Sequence, residues 1–397
     1  MKCTIKFGFI IVLFIFFSSI VVLKASHAAE PTILAAYQAW FGLPSHLPVY
    51  NSCDPDLLAQ QIQKAKDMGI DGFVVDWYGP QAGVINDTDR EFIDQATAVL
   101  IEQAEADNFK IALMYDEGAV AQAGLDDERS MGQVQADLVY AKKYFSSPAY
   151  LHIHGYPALF VFSYDEVDQY LDWETLRSEL GTQLTLIDND PNPAAQERDD
   201  IFDGFYAWVQ ADWRPKGKDW GKGYLDWFYG QMKEGRYADK IMIGGVWPGF
   251  DDLLAFWGKR RFIPRQNGQV YAKTMDLAQQ HDAAIILLET WNDFEEGTDI
   301  EFGRDMIVDM EADYPDLLVR SSPITVEWDP ARGELAVQVY KNGRLIYDQR
   351  KSSGVSLALK PKGEYELKLW TSGTDTLSQW IKIRRKDLEK RRNRTRG

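Results

Sequence analysis

The 397-residue chain is short of cysteine and histidine, with 2 Cys and 5 His. Cys3 and Cys53 make no disulfide framework, and a lone Cys such as Cys53 is more often buried filler than a nucleophile. His152 and His154 share a strand face, but no acidic or His partner lies at ligand spacing, so neither a metal nor a cofactor is expected. The stretch DNDPN at 188–192 lacks the glycine of a calcium loop, because Pro193 stands in its place, and it reads as a turn. No GxSxG elbow, P-loop or GxGxxG motif occurs, which removes the signatures of serine hydrolases, nucleotide hydrolysis and dinucleotide binding. Positive charge is also scarce: 43 Lys+Arg face 60 Asp+Glu, a net charge of −17. Such a surface repels nucleic acid and other polyanions, so a neutral partner is expected.

What is present begins with a basic start, MKCTIK, an uncharged apolar run from Phe7 to Leu23, and the small residues Ser26, Ala28 and Ala29. This reads as an export signal over residues 1–28, giving a secreted, periplasmic or cell-surface protein. An uncleaved N-terminal membrane anchor is the alternative, since the run lies at the lower limit for spanning a bilayer. Cleavage would remove Lys2, Lys6 and Lys24 and no acid, leaving the mature chain still more acidic.

From Thr32 onward, short β-branched and aromatic runs alternate with longer amphipathic segments, the pattern of parallel strands joined by crossover helices. Strands are expected at 33–40, 71–78, 110–115, 156–164, 183–188, 203–210, 240–247 and 283–291. Between the first two, PDLLAQQIQKAKDMG repeats Leu57, Leu58, Ile62, Ala65 and Met68 at helical spacing, with Gly69 as the stop. The fold class is therefore α/β, with a closed (β/α)8 TIM barrel over 32–316. After Pro315 the pattern turns to period-two alternation with turn signals such as Asn342-Gly343, which predicts a small antiparallel β-sandwich-like domain over 320–385. Nothing in that domain carries chemistry, and accessory packing is its expected role. The tail over 386–397 is strongly basic without an apolar face and reads as a solvated end, with weak attachment to an anionic cell surface as a second reading.

In such barrels the active site lies at the C-terminal ends of the strands. Here those ends are rich in acids and aromatics: Trp40, Asp76, Trp77, Tyr115, Tyr206, Trp208, Trp247 and Asn292 are expected to bind substrate, with Glu301 just beyond. Flat rings suit the apolar faces of sugars, although aromatics also cap barrel cores. The segment LLETWND places Glu289, Trp291 and Asp293 on one face if the strand continues. A helical turn through DFEEG would then set Asp293 and Glu296 about 5–6 Å apart at Cβ, close enough to flank one bond. Glycoside cleavage needs such a pair, one group protonating the departing oxygen and another activating a nucleophile or stabilising the cationic centre. Glu289, an acid within a barrel strand, needs a partner there and reads as orienting or structural.

The segment TWNDFEEGTDIE resembles the last-strand signature of glycoside hydrolase family 99, the endo-α-mannosidases, and that of family 71, the α-1,3-glucanases. The resemblance runs in order through YQAWFG, MGIDGFVVDWYGP, IALMYDEG, YLHIHGYPALFVF, DGFYAW and VWPGFDD, covering about residues 32–316. It implies an exported hydrolase of an α-linked glycan, an oligo- or polysaccharide of the α-mannan or α-glucan kind, that is endo-acting. By the family 99 pattern the catalytic carboxylates fall at Asp293 and Glu296, with Glu296 as general acid/base. The first is a glutamate in family 99 and an aspartate in family 71, so the mechanism is open: assistance by the sugar 2-hydroxyl in the former, inversion through water in the latter. Asp293 also keeps two other functions in play, a catalytically inactive glycan-binding barrel and a polysaccharide-assembly transglycosylase. Oligosaccharides released from α-mannans and α-glucans, or transfer products on an added acceptor, discriminate among the three.

Overall fold

A computed structural model describes residues 30–301, apart from 44–45, 47–49, 82–83, 86–87, 122, 165–170, 212–218, 253–254, 256, 260 and 267. Beyond residue 301 it describes only the strands between 324 and 384. The expected leader and basic tail lie outside the described residues. Among the described residues no helix is long and apolar enough to cross a membrane.

Eight parallel strands close into a barrel: β1 (Thr32–Gln38), β2 (Gly72–Trp77), β3 (Lys110–Asp116), β4 (Tyr156–Phe162), β5 (Thr185–Asn189), β6 (Gly204–Tyr206), β7 (Ile241–Val246) and β8 (Ile285–Leu288). Each pairs with its sequence neighbours, and β8 pairs with β1 through Thr32↔Ile285 to Ala35↔Leu288, which closes the ring. All eight expected strands are found. Several end earlier than their aromatic runs suggest, and β8 stops at Leu288, short of Trp291.

Both faces of the strands are apolar, as a parallel sheet covered on each side requires. Inside, Leu34, Ala36, Val74, Met114, Phe160, Ile187, Tyr206, Ile243 and Leu287 fill the barrel. Outside, Ala35, Tyr37, Phe73, Val75, Trp77, Leu113 and Tyr115 pack under the helices. The helix α1 (Pro55–Asp67) follows the sequence logic closely: the Asp54 side chain accepts from the N–H groups of Asp56 and Leu57, Pro55 opens the first turn, and Leu57, Leu58, Ile62 and Ala65 are buried. Met68, expected on that face, lies past the helix end and is 40% exposed.

Among the described residues of the C-terminal segment the pairings are antiparallel, a four-stranded sheet over Leu335–Arg384 and a two-stranded ribbon of Ile324–Val326 with Val355–Leu357.

Candidate active site at the C-terminal mouth of the barrel

Past Leu288 the chain leaves the sheet and folds into a turn. The Trp291 N–H donates to the Ala36 carbonyl (2.7 Å) and the Thr290 N–H to the Thr298 carbonyl (2.9 Å). The expected alternation of Glu289, Trp291 and Asp293 on one face is therefore broken. Trp291 turns outward, fully buried, and meets the Phe73 ring at 5.2 Å between centroids. Nor is the DFEEG turn helical. Asp293 shapes it: its Oδ1 accepts the N–H groups of Glu295 (3.0 Å) and Glu296 (2.8 Å), an Asx-type turn. Its own N–H is held by Thr290 Oγ1 at 2.7 Å. Gly297 closes the turn at φ 60°, a backbone angle that glycine adopts freely.

This turn brings Asp293 and Glu296 together. Burial raises the Asp293 carboxyl well above the usual range, and the nearby Glu296 and Glu295 carboxylates push the same way. Burial also raises Glu296, against the Trp257 Nε1–H bond to its Oε1 (2.8 Å) and the Arg261 guanidinium at 3.5 Å, both of which favour its charged form. Arg261 is itself fixed by Asp252, which accepts its Nε–H at 2.8 Å. Beside this pair, His46 Nδ1 lies 2.8 Å from Glu295 Oε2, while the His46 ring stacks on Trp40 at 4.8 Å. Trp40 in turn meets Trp257 edge-on at 5.9 Å.

The top of the barrel interior is acidic. On the inward phase of neighbouring strands stand Gln38 (β1), Asp76 (β2) and Asp116 (β3), with Gln38 and Asp76 in direct register. Tyr78 donates to Asp76 Oδ2 at 2.9 Å. Burial raises Asp76 well above its ordinary value, helped by Asp116 and Glu296. Burial pushes Asp116 up to about 7, although the Gly118 N–H and the Tyr78 hydroxyl oppose it. Glu289, fully buried, accepts the Val209 N–H and is raised by that burial.

The comparisons with known proteins bear on this arrangement. Residues 41–317 match the family model for glycosyl hydrolase family 99. The chain belongs to glycosyl hydrolase family 99. It is 22% identical over 276 residues to the glycoprotein endo-alpha-1,2-mannosidase of Mus musculus, covering 64% of this chain and 54% of that protein. The corresponding protein of Xenopus laevis is 24% identical over 276 residues, covering 64% of this chain and 56% of that one. The chain thus spans about half the length of these curated relatives. Among solved structures, the GH99 endo-alpha-mannosidase from Bacteroides thetaiotaomicron aligns with a TM-score of 0.54 at 19% identity, over 68% of this chain and 86% of that one. A glycoside hydrolase-like protein aligns at 0.52 with 15% identity, over 68% and 86% of the two chains. At these identities the structural likeness speaks for the barrel fold.

Within this family 99 barrel, the residues expected to bind substrate divide into two groups. Asp76 and Trp40 come to the mouth around Asp293 and Glu296, and the half-buried Trp208 stands on the inward phase of β6, packed on Phe162 and Tyr206. Tyr206 lies just below, fully buried, its hydroxyl donating to the Val161 carbonyl. The others are packed against the protein itself. Trp77 is on the outward phase of β2, its Nε1–H bonded to Asp94 at 3.0 Å. Tyr115 likewise faces the helices and donates to Asp137. Trp247 is fully buried, with its Nε1–H on the Trp220 carbonyl. Asn292 is a clamp: its Oδ1 accepts the Gln38 N–H (2.7 Å), and its Nδ2 donates to the Gln38 carbonyl (2.8 Å) and the Tyr50 hydroxyl (2.7 Å). Glu301 accepts from Tyr50 and from Gln61 in the same buried network.

Residues absent from the sequence reading are Trp257, Arg261 and Gln38. The first two lie in the segment after β7, where barrel loops face the site, and that position was the available signal. Among the described residues no group of three or more His, Cys, Asp or Glu is arranged to hold a metal ion.

Proposed function

We propose that this family 99 barrel hydrolyses an α-linked glycan of mannose or glucose type, cutting within the chain. Glu296 serves as general acid/base and Asp293 as the base or assisting carboxylate. One observation carries the reading: the Asx-type turn after β8 holds a buried and a half-buried carboxyl together at the barrel mouth, and both are shifted toward the protonated form. A carboxyl that keeps its proton near neutral pH can protonate a departing sugar oxygen. The Trp257 N–H and Arg261 then stabilise the carboxylate that Glu296 becomes once the proton has left, which favours the bond-breaking step. Trp208, half-buried at the end of β6, supplies flat apolar surface at the barrel mouth.

The test is a panel of α-mannan and α-glucan oligosaccharides incubated with the purified chain, with products followed by chromatography and the anomeric outcome by NMR. Shorter internal fragments are expected from at least one of them. Binding without any product, across pH, would move the reading to a glycan-binding barrel. We also infer that residues 1–28 direct export, with weak attachment of the basic tail to an anionic cell surface. N-terminal sequencing of the exported protein checks the first point, expecting a start after Ala28 or Ala29, whereas Met1 would show an anchor.

A further inference from the structure

The acids around the barrel mouth fall into two classes. Asp188, Asp252 and Asp299 each have a cation supplied by the chain, Arg198, Arg261 and Arg265 respectively. Asp76, Asp116 and Glu289 have no such cation among the described residues, although they are 8%, 4% and 0% exposed. Asp76 and Asp116 stand with Gln38 on three adjacent strands, β1, β2 and β3, all on the inward phase, while Glu289, just past β8, turns toward Val209. The Tyr78 hydroxyl, which donates to Asp76 at 2.9 Å and also bonds Asp116, ties these two carboxyls together.

This arc has a particular hydrogen-bonding deficit. Gln38 Oε1 and Asp76 Oδ1 are buried acceptors with no hydrogen-bond partner among the described residues. Gln38, 4% exposed, has no side-chain bond of its own among the described residues. Buried acceptors without donors are costly, and buried carboxylates without a cation more so. Burial leaves the Asp76 and Asp116 carboxyls leaning toward their protonated form, which a bound cation would reverse. A group that brings several N–H donors together with a positive charge would satisfy both deficits at once, and an ammonium is such a group. A sugar hydroxyl donates once and brings no charge.

We propose that the sugar seated on this arc carries a protonated amine, so that the substrate is an amino-sugar derivative of an α-linked gluco- or manno-type glycan. The proposal rests on Asp293 and Glu296 forming the glycoside-cleaving site above the arc. The amine is placed at C3, C4 or C6, which leaves the 2-hydroxyl free for the assisting role open to Asp293.

Calorimetric titration of the full chain tests this, using α-linked disaccharides of glucose and mannose with an amine at C3, C4 or C6, their N-acetylated forms, and the parent neutral disaccharides. At least one amine ligand is expected to bind about tenfold more tightly than its acetylated and neutral counterparts at physiological salt. That advantage should shrink as pH rises above about 8, where such amines lose their charge. Asp76→Asn and Gln38→Leu should each bring the ratio toward one, whereas Glu102→Gln, on an exposed helix face, should leave it unchanged. Equal or weaker binding of every amine ligand would overturn the proposal, as would a preference that Asp76→Asn does not reduce. Cleavage of neutral oligosaccharides without amine preference removes the amine and leaves the hydrolase. Amine-selective binding with no cleavage of any glycan upholds the amine and removes the hydrolase.

Discussion

Replacing Asn292 by Leu tests whether the turn that presents Asp293 is held by the first strand. The Asn292 amide satisfies both backbone groups of Gln38, the N–H at 2.7 Å and the carbonyl at 2.8 Å, and both are buried. Leu has a similar volume, so packing is nearly preserved while two backbone groups lose their partner. Each orphaned group costs about 1–3 kcal/mol, so a loss on the order of 2–6 kcal/mol is expected. The Tyr50 hydroxyl keeps Glu301 as a partner and adds little. Urea unfolding should show a lower midpoint with an unchanged slope, because the exposed surface is the same. Since Asp293 follows immediately in the chain, turnover on any cleaved glycan should also fall by about a hundredfold, the cost of misplacing a catalytic group by an ångström. A stability loss under ~1 kcal/mol together with unaltered turnover would refute the clamp, because a surface amide gives that result.

Other consequences are as direct. Trp257→Phe removes the donor that favours charged Glu296, so its carboxyl rises further and the high-pH limb of the rate profile should move to higher pH; a limb that stays put or moves down contradicts the contact. Burial pushes Asp190 up to about 7. A carboxyl raised in the folded state contributes most below its unfolded value and loses stability as pH rises from about 4 to 7, so Asp190→Asn should flatten that decline and gain at most ~4 kcal/mol at pH 7.5. Denaturant melts across pH check this, and Asn suits the local φ of 54° and still accepts the Tyr224 hydroxyl bond. Gly221→Ala would set a Cβ 2.4 Å from Trp247 Cζ2 at φ 95°, so thermal melting should show a loss of at least ~2 kcal/mol; an unchanged Tm would mean that Trp247 is not packed there.

How much of this was readable beforehand follows from the physics of parallel barrels. The eight strands were legible because each is an apolar run between helical segments. Their ends were not, since Trp40, Trp247 and Trp291 continue the β-forming pattern beyond the point where the backbone turns away. The phase was hidden as well. Phe73, Val75 and Trp77 alternate with Val74 and Asp76, but both sets are covered, so hydrophobicity does not say which one faces in. That ambiguity put Trp77 and Tyr115 on a sugar wall when they anchor helices. Asp76 was placed at the mouth because an acid at a strand end has few other uses. Gln38 carried no signal, being one polar residue after an apolar strand, and its role depends on Asn292, which is 254 positions away.

The central claim is that Glu296 donates and retrieves the proton in cleavage of an α-linked glycan. Glu296→Gln tests it most directly, because the amide oxygen still accepts the Trp257 N–H while the acid is gone. Product release should fall by about a thousandfold or more, with glycan affinity by calorimetry within a few-fold of the unaltered protein. Turnover in the variant equal to that of the unaltered protein would contradict the account.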